Sequence, residues 1–196
     1  MHHVQLTAEN AMIYAGPQRP PESEYASFYH RYVQAVPEGD VIHYLAAQLV
    51  DVEGLLGHLP DEQANARYAP DKWSVKEVLG HLSDTERVMS YRLLRAARGD
   101  ATPLASFDQD DYVRAAQSGG RAIGDLLNEF RTVRASTLSL VKGVDGAAWD
   151  RTCVASNAVV SSRALVYIIA GHTAHHTTVL RERYGIAGVG TPAPPL

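Results

Sequence analysis

Leu165-Val166-Tyr167-Ile168-Ile169-Ala170-Gly171-His172-Thr173-Ala174-His175-His176-Thr177-Thr178-Val179-Leu180 combines the periodicity of a buried helix with a set of imidazoles. Leu165, Ile168, Ile169, Val179 and Leu180 recur at three- and four-residue spacing, and His172 and His176 fall on the same stripe. Residues four apart on an α-helix are about 6 Å apart along the axis and about 40° apart around it, so both rings can reach one point. Burying two polar rings without partners costs free energy. Two arrangements satisfy them: a metal ion shared by both, imidazole being the commonest metal ligand, or a hydrogen-bonded pair of core histidines.

Outward from this stretch the chain reads as helices. Ser161 or Ser162 caps the histidine-bearing helix, which ends at Tyr184 before Gly185. An earlier helix, from Ile123 to Val141, buries Leu126, Leu127, Phe130, Val133, Thr137 and Leu138 and carries no candidate ligand. The connection between them, 145–160, reads as a long loop with Trp149 as an anchor.

The best-defined start is Ser74-Val75-Lys76-Glu77, a capping box flanked by Trp73 and Val78 at the staple positions. Val78, Leu79, Leu82, Met89 and Leu93 carry that helix to Gly99, with Arg92, Arg95 and Arg98 near its carboxyl end. His81 lies beside the stripe; alone it would be an ordinary structural histidine. A further helix spans 40–57 through Ile42, Leu45, Leu49, Val52 and Leu56, with His43 and His58 at its surface or boundary. The expected fold is all-α: a four-helix bundle over residues 40–185, with a long crossover between the second and third helices. Residues 1–39 form a Pro-rich leader over the surface, with a short helix in 22–36, and 186–196 an extended Pro-rich tail.

Composition narrows the function. The 196 residues, 45% hydrophobic and 20% charged, are enough for one sizeable core. A formal charge of -4 with no Lys/Arg cluster argues against nucleic acid as a partner. The longest apolar run, Ala164 to Ala170, is far short of a membrane span, and Met1-His2-His3-Val4 opens no signal peptide. The expectation is a cytoplasmic protein without a membrane partner. Cys153 is single, which excludes an intrachain disulfide, and it reads as an unreactive loop thiol.

Trp73-Ser74-Val75-Lys76-Glu77-Val78-Leu79-Gly80-His81-Leu82, then Asp84-Thr85-Glu86-Arg87, and later Gly171-His172 with His175-His176, resemble the DinB/YfiT-like proteins. The resemblance extends through Arg98-Gly99-Asp100, Phe107-Asp108-Gln109-Asp110 and Leu180-Arg181-Glu182-Arg183-Tyr184, so it covers most of 40–184. It implies a divalent metal held by three histidines, one on the second bundle helix and two on the fourth. By motif position these are His81, His172 and His176. Thr173 and Ala174 depart from the bulkier or acidic pair often found between the fourth-helix histidines, which alters pocket shape rather than the ligand set. His175 points about 100° away from His176 around the helix and is expected at the surface or beside the ligands.

Three neutral imidazoles favour zinc or nickel over oxygen-preferring magnesium or calcium, and three protein ligands leave coordination positions open, as at catalytic ions. The resemblance implies a metal-dependent hydrolase, or a transferase using a low-molecular-weight thiol as in the bacillithiol- and mycothiol-dependent enzymes, acting on a small-molecule substrate. The competing class is a non-catalytic, stress-related bundle that binds a small molecule around a structural metal. Asp84, Glu86, Asp108 and Asp110 are candidates to orient a ligand or relay protons. A homodimer is expected, from the family and from the aromatic segment Tyr25, Phe28, Tyr29 and Tyr32.

Overall fold

Four helices of the computed structural model start where the sequence supplies a side-chain cap; the structure describes residues 16–188. The amino-terminal reading at 1–4 and the Pro-rich ending at 191–196 lie outside the described residues. A short helix α1 (His30–Ala35) precedes α2 (Val41–Leu56), where Asp40 accepts from the Ile42 amide at 2.8 Å. The capping box opens α3 (Val75–Ala97): the Glu77 amide donates to Ser74 Oγ at 3.3 Å, and the Ser74 amide donates to the Glu77 carboxylate at 2.6 Å. Asp108 caps α4 (Gln109–Ala116), and α5 (Ile123–Lys142) follows. Ser161 caps α6 (Ser162–Arg183), accepting from the Ala164 amide at 3.0 Å.

The four long helices α2, α3, α5 and α6 form the bundle. α3 packs against α5 and α6, and α2 packs against the same two, so α2 and α3 occupy opposite corners. Two apolar clusters mark its ends. One joins Val41 and Leu45 of α2 to Leu93 and Ala96 of α3, Val141 of α5 and Leu165 of α6. The other joins Leu55 of α2 to Val75 and Leu79 of α3, Leu126 of α5 and Leu180 of α6. Each cluster therefore holds the same ends of α3 and α5, and these neighbours run in one direction. Residues 98–122 must return the length of the bundle between them, and they do so along α3, with α4 and the turn Ser118–Gly120 packed on it.

Two segments differ from the sequence expectation. Residues 145–160 are no plain loop: after a turn of 3-10 helix at Gly146–Asp150, β1 (Thr152–Ala155) and β2 (Ala158–Ser161) form an antiparallel hairpin. Ser156 and Asn157 adopt φ values of 53° and 63°, the left-handed pair that a tight two-residue hairpin requires. Cys153 thus sits in a strand, buried, its thiol pushed up by burial. The leader is also more than a surface wrap. Tyr25, Val33 and Val36 join the first apolar cluster, and α1 lies along α6.

That contact depends on Gly171. A Cβ there would lie 1.9 Å from the Tyr32 carbonyl oxygen and 2.8 Å from its Cα, both backbone atoms that cannot rotate aside. At Gly80, by contrast, a Cβ would meet mainly the rotatable Ser118 hydroxyl. Gly171→Ala is expected to displace α1 and lower stability by about 1–3 kcal/mol, with a smaller loss for Gly80→Ala. Urea denaturation of the two variants checks the difference.

At mid-bundle a polar centre joins all four helices. Arg134 of α5 is fully buried and donates to both Glu86 carboxylate oxygens, with bonds of 2.7 and 2.8 Å among them. It also donates to the Leu45 carbonyl (2.7 Å), Gln48 Oε1 (3.2 Å) and Thr173 Oγ1 (3.0 Å). Gln48 in turn donates to the Ala170 carbonyl at 2.8 Å. This network fixes the stretch of α6 immediately before and after His172.

Candidate metal centre

His81 on α3 faces His172 and His176 on α6. His81 and His172 are buried and His176 nearly so. The Nε2 atoms of His81 and His172 are 3.0 Å apart, and one ring nitrogen from each of the three histidines lies within 4.8 Å of the others. At a metal–nitrogen distance of about 2.0–2.1 Å, ligands of a tetrahedral ion stand about 3.3 Å apart. The His81–His172 separation is close to that value.

The ring environment sets the charge state. His81 Nδ1 lies 3.4 Å from Thr85 Oγ1, one helical turn on. The tautomer that donates to that hydroxyl leaves the Nε2 lone pair facing His172. Burial lowers the His81 pKa to about 4. Burial, then the neighbouring imidazoles, holds His172 and His176 well below the ordinary 6.5. At neutral pH all three rings are therefore uncharged, the ligand form. Two facing nitrogens can share one hydrogen, but among the described residues no hydrogen bond reaches the His176 ring. Three converging neutral donors fit a borderline cation better than they satisfy one another.

Aromatic side chains enclose the cluster. The Trp73 ring lies 4.6 Å from that of His81 and 6.4 Å from that of His176, and Tyr32 of α1 meets His172 edge-on at 5.5 Å. Space opens on two sides. A cleft of about 600 Å³ reaches Thr85 and His172 between the leader, α3 and the crossover. Another of about 330 Å³ reaches Trp73 and His176.

His175 is half-buried and packs its ring on Tyr32 at 5.6 Å, lining the smaller cleft outside the group of three. Asp84 is held by Arg87 at 3.2 Å, beside Glu129 of α5. Glu86 is taken by Arg134, and Asp108 by the α4 cap. Asp110 lines the smaller cleft, exposed. Among the described residues, no carboxylate joins the three imidazoles.

Several neighbours escaped the sequence reading. Thr85 had a signal, its four-residue spacing from His81. Trp73 was visible only as a helix staple, and Arg134 as a charged residue four positions after Phe130 on an apolar stripe. Tyr32 had none, because its place depends on how the leader crosses α6.

A family model described as DinB superfamily matches residues 44–180, well over half of the chain. Among solved structures, YfiT from Bacillus subtilis, described as a probable metal-dependent hydrolase with an unusual four-helix bundle topology, is similar at a TM-score of 0.62 and 19% identity. The alignment covers 88% of this chain and 96% of YfiT. At that identity the likeness is one of fold, and the four-helix bundle is common to both. No curated protein sequence matches.

Proposed function

The chain belongs to the DinB superfamily, and from that premise we propose that it is a metal-dependent enzyme acting on a small molecule, with His81, His172 and His176 holding one divalent ion, zinc or nickel. The observation that carries this reading is the convergence of three neutral imidazole nitrogens from two helices, two of them on buried rings, beside an open cleft. A divalent ion there would supply Lewis acidity and lower the pKa of a water or thiol it bound. The protein's own part is to keep the three rings neutral, to orient His81 through Thr85, and to limit water with Trp73 and Tyr32.

Two chemistries fit. Hydrolysis is the one ascribed to YfiT. Transfer from a low-molecular-weight thiol is favoured by one observation: among the described residues no carboxylate joins the imidazoles to act as general base, and a thiol is acidic enough to react as thiolate without one. Metal-reconstituted protein should turn over either an activated ester or a thiol with an alkylating electrophile, and chelator should abolish it. Metal-dependent stability with neither activity would instead support a structural ion in a non-catalytic binding bundle.

The depressed histidine pKa values predict a pH dependence. Unfolded imidazoles take up protons near pH 6.5, whereas the folded rings stay neutral until lower pH, about 4 for His81. The unfolded state thus binds more protons within that window, and stability of the metal-free protein, complete above pH 6.5, is lost progressively towards pH 4. The slope is about 1.4 kcal/mol per pH unit for each ring. Protons also compete with the ion, so bound metal should be released over the same interval. Chemical denaturation and metal content at pH 7.5 and pH 5 check both effects. A flat profile would contradict buried neutral rings.

The reading includes a homodimer, the commonest symmetric assembly. Tyr25 is buried in its own bundle, but Phe28 remains 58% exposed. Light scattering should give twice the chain mass. Among the described residues no helix is long and apolar enough to cross a membrane.

A further inference from the structure

Arg92 and Arg134 are both almost fully buried, yet only Arg134 has a carboxylate. The Arg92 Nη2 donates to the Ala105 carbonyl at 2.8 Å and to Ser156 Oγ, in the hairpin turn, at 3.0 Å. Its Nη1 faces the Met89 thioether at 3.9 Å, and the guanidinium lies 5.8 Å from the Phe107 ring. Among the described residues no anion balances this charge, and a buried, uncompensated guanidinium is costly. It is not sealed in the core. Arg92 lines the same 600 Å³ cleft that reaches His172.

The layout follows from the helix. Arg92 is eleven residues after His81, about 16 Å along α3 and about 20° around it, so the two share a face. Thr85 and Met89 lie between them as the floor, and Tyr29 and Phe107 are among the walls. The cleft thus offers the His172 imidazole at one end, a buried cation at the other and largely apolar surface between, with the exposed Arg31 also on its wall. Arg92 also lies beside the Tyr29 hydroxyl, where it opposes the upward push of burial.

We propose that this cleft binds an elongated small molecule carrying an anionic oxygen group, a carboxylate or a phosphoryl group, which Arg92 receives while the molecule's other end reaches the three histidines. The charge-assisted bonds to Arg92 select anionic over neutral substrates. The assignment of the reacting end rests on the metal-dependent reading above; the anion site itself does not.

Calorimetry of the full chain with three probes of equal length tests this: an ω-mercaptoalkanoate, an ω-mercaptoalkylphosphonate and the neutral ω-mercaptoalkanol, each with metal-free and zinc-loaded protein. At least one anion should bind the metal-free protein about tenfold or more tighter than the alcohol, and the larger margin identifies the group. Arg92→Gln should erase the margin and Arg92→Lys retain part of it, with zinc content unchanged in both. Equal binding of all three by the unaltered protein overturns the inference whether or not the variants fold, as does a margin that survives in folded Arg92→Gln. Zinc should strengthen all three probes alike. If it strengthens none while the anion margin persists, the metal-dependent function fails and the anion site stands.

Discussion

His172→Ala is expected to lower the affinity for zinc or nickel by a hundredfold or more, and His81→Ala and His176→Ala to do the same. Structural zinc binding amounts to about 10–16 kcal/mol over four ligands, or roughly 3 kcal/mol each, and about 1.4 kcal/mol is a factor of ten. Here each ring supplies one of three nitrogens within 4.8 Å, and among the described residues no fourth ligand belongs to the group. His81 gives the sharpest result, because it is the single contribution from α3 and its loss leaves a pair on one helix. His175→Ala should keep stoichiometric metal, since that ring packs against Tyr32 outside the group. Metal titration of the four variants by calorimetry, with elemental analysis of the unaltered protein for about one ion per chain, decides the matter. Unchanged affinity in His81→Ala would place the ion on α6 alone.

Arg134→Ala should be the most destabilising single substitution away from the histidines. Removing the guanidinium leaves the Glu86 carboxyl group buried without a partner, and strips donors from Leu45, Gln48 and Thr173 at once. Breaking a buried pair in this way costs about 3–5 kcal/mol, a large share of the roughly 5–15 kcal/mol of a typical domain. The variant should be partly unfolded at ambient temperature. Arg134→Met combined with Glu86→Leu should recover much of the loss, because no lone charge remains. Urea denaturation of the single and double variants measures this. Equal instability in both would mean that the network matters through its neutral hydrogen bonds rather than through the ion pair.

Much of the fold could be read locally. Helix capping by Asp40, Ser74 and Ser161 involves residues two or three positions apart, and the apolar stripes repeat every three or four, so neither needs the rest of the molecule. The hairpin at 152–161 was missed because its four-residue strands are too short for a clear alternation, and its turn is Ser-Asn rather than a glycine pair.

The sequence by itself determined the four long helices, their ends, and the shared direction of His172 and His176, all of which follow from backbone geometry within one helix. The family motif added His81 as an expectation. Only the tertiary structure brought His81 to within 3.0 Å of His172, 91 residues away in the chain, and burial there keeps the rings neutral to lower pH. The same holds for the pairing of Glu86 with Arg134, the seating of Tyr32 against Gly171, and the arrival of Ser156 at Arg92. Such contacts depend on which helix faces which. That was settled when α3 and α5 packed side by side in one direction, and periodicity within a single helix carries no information about its neighbours.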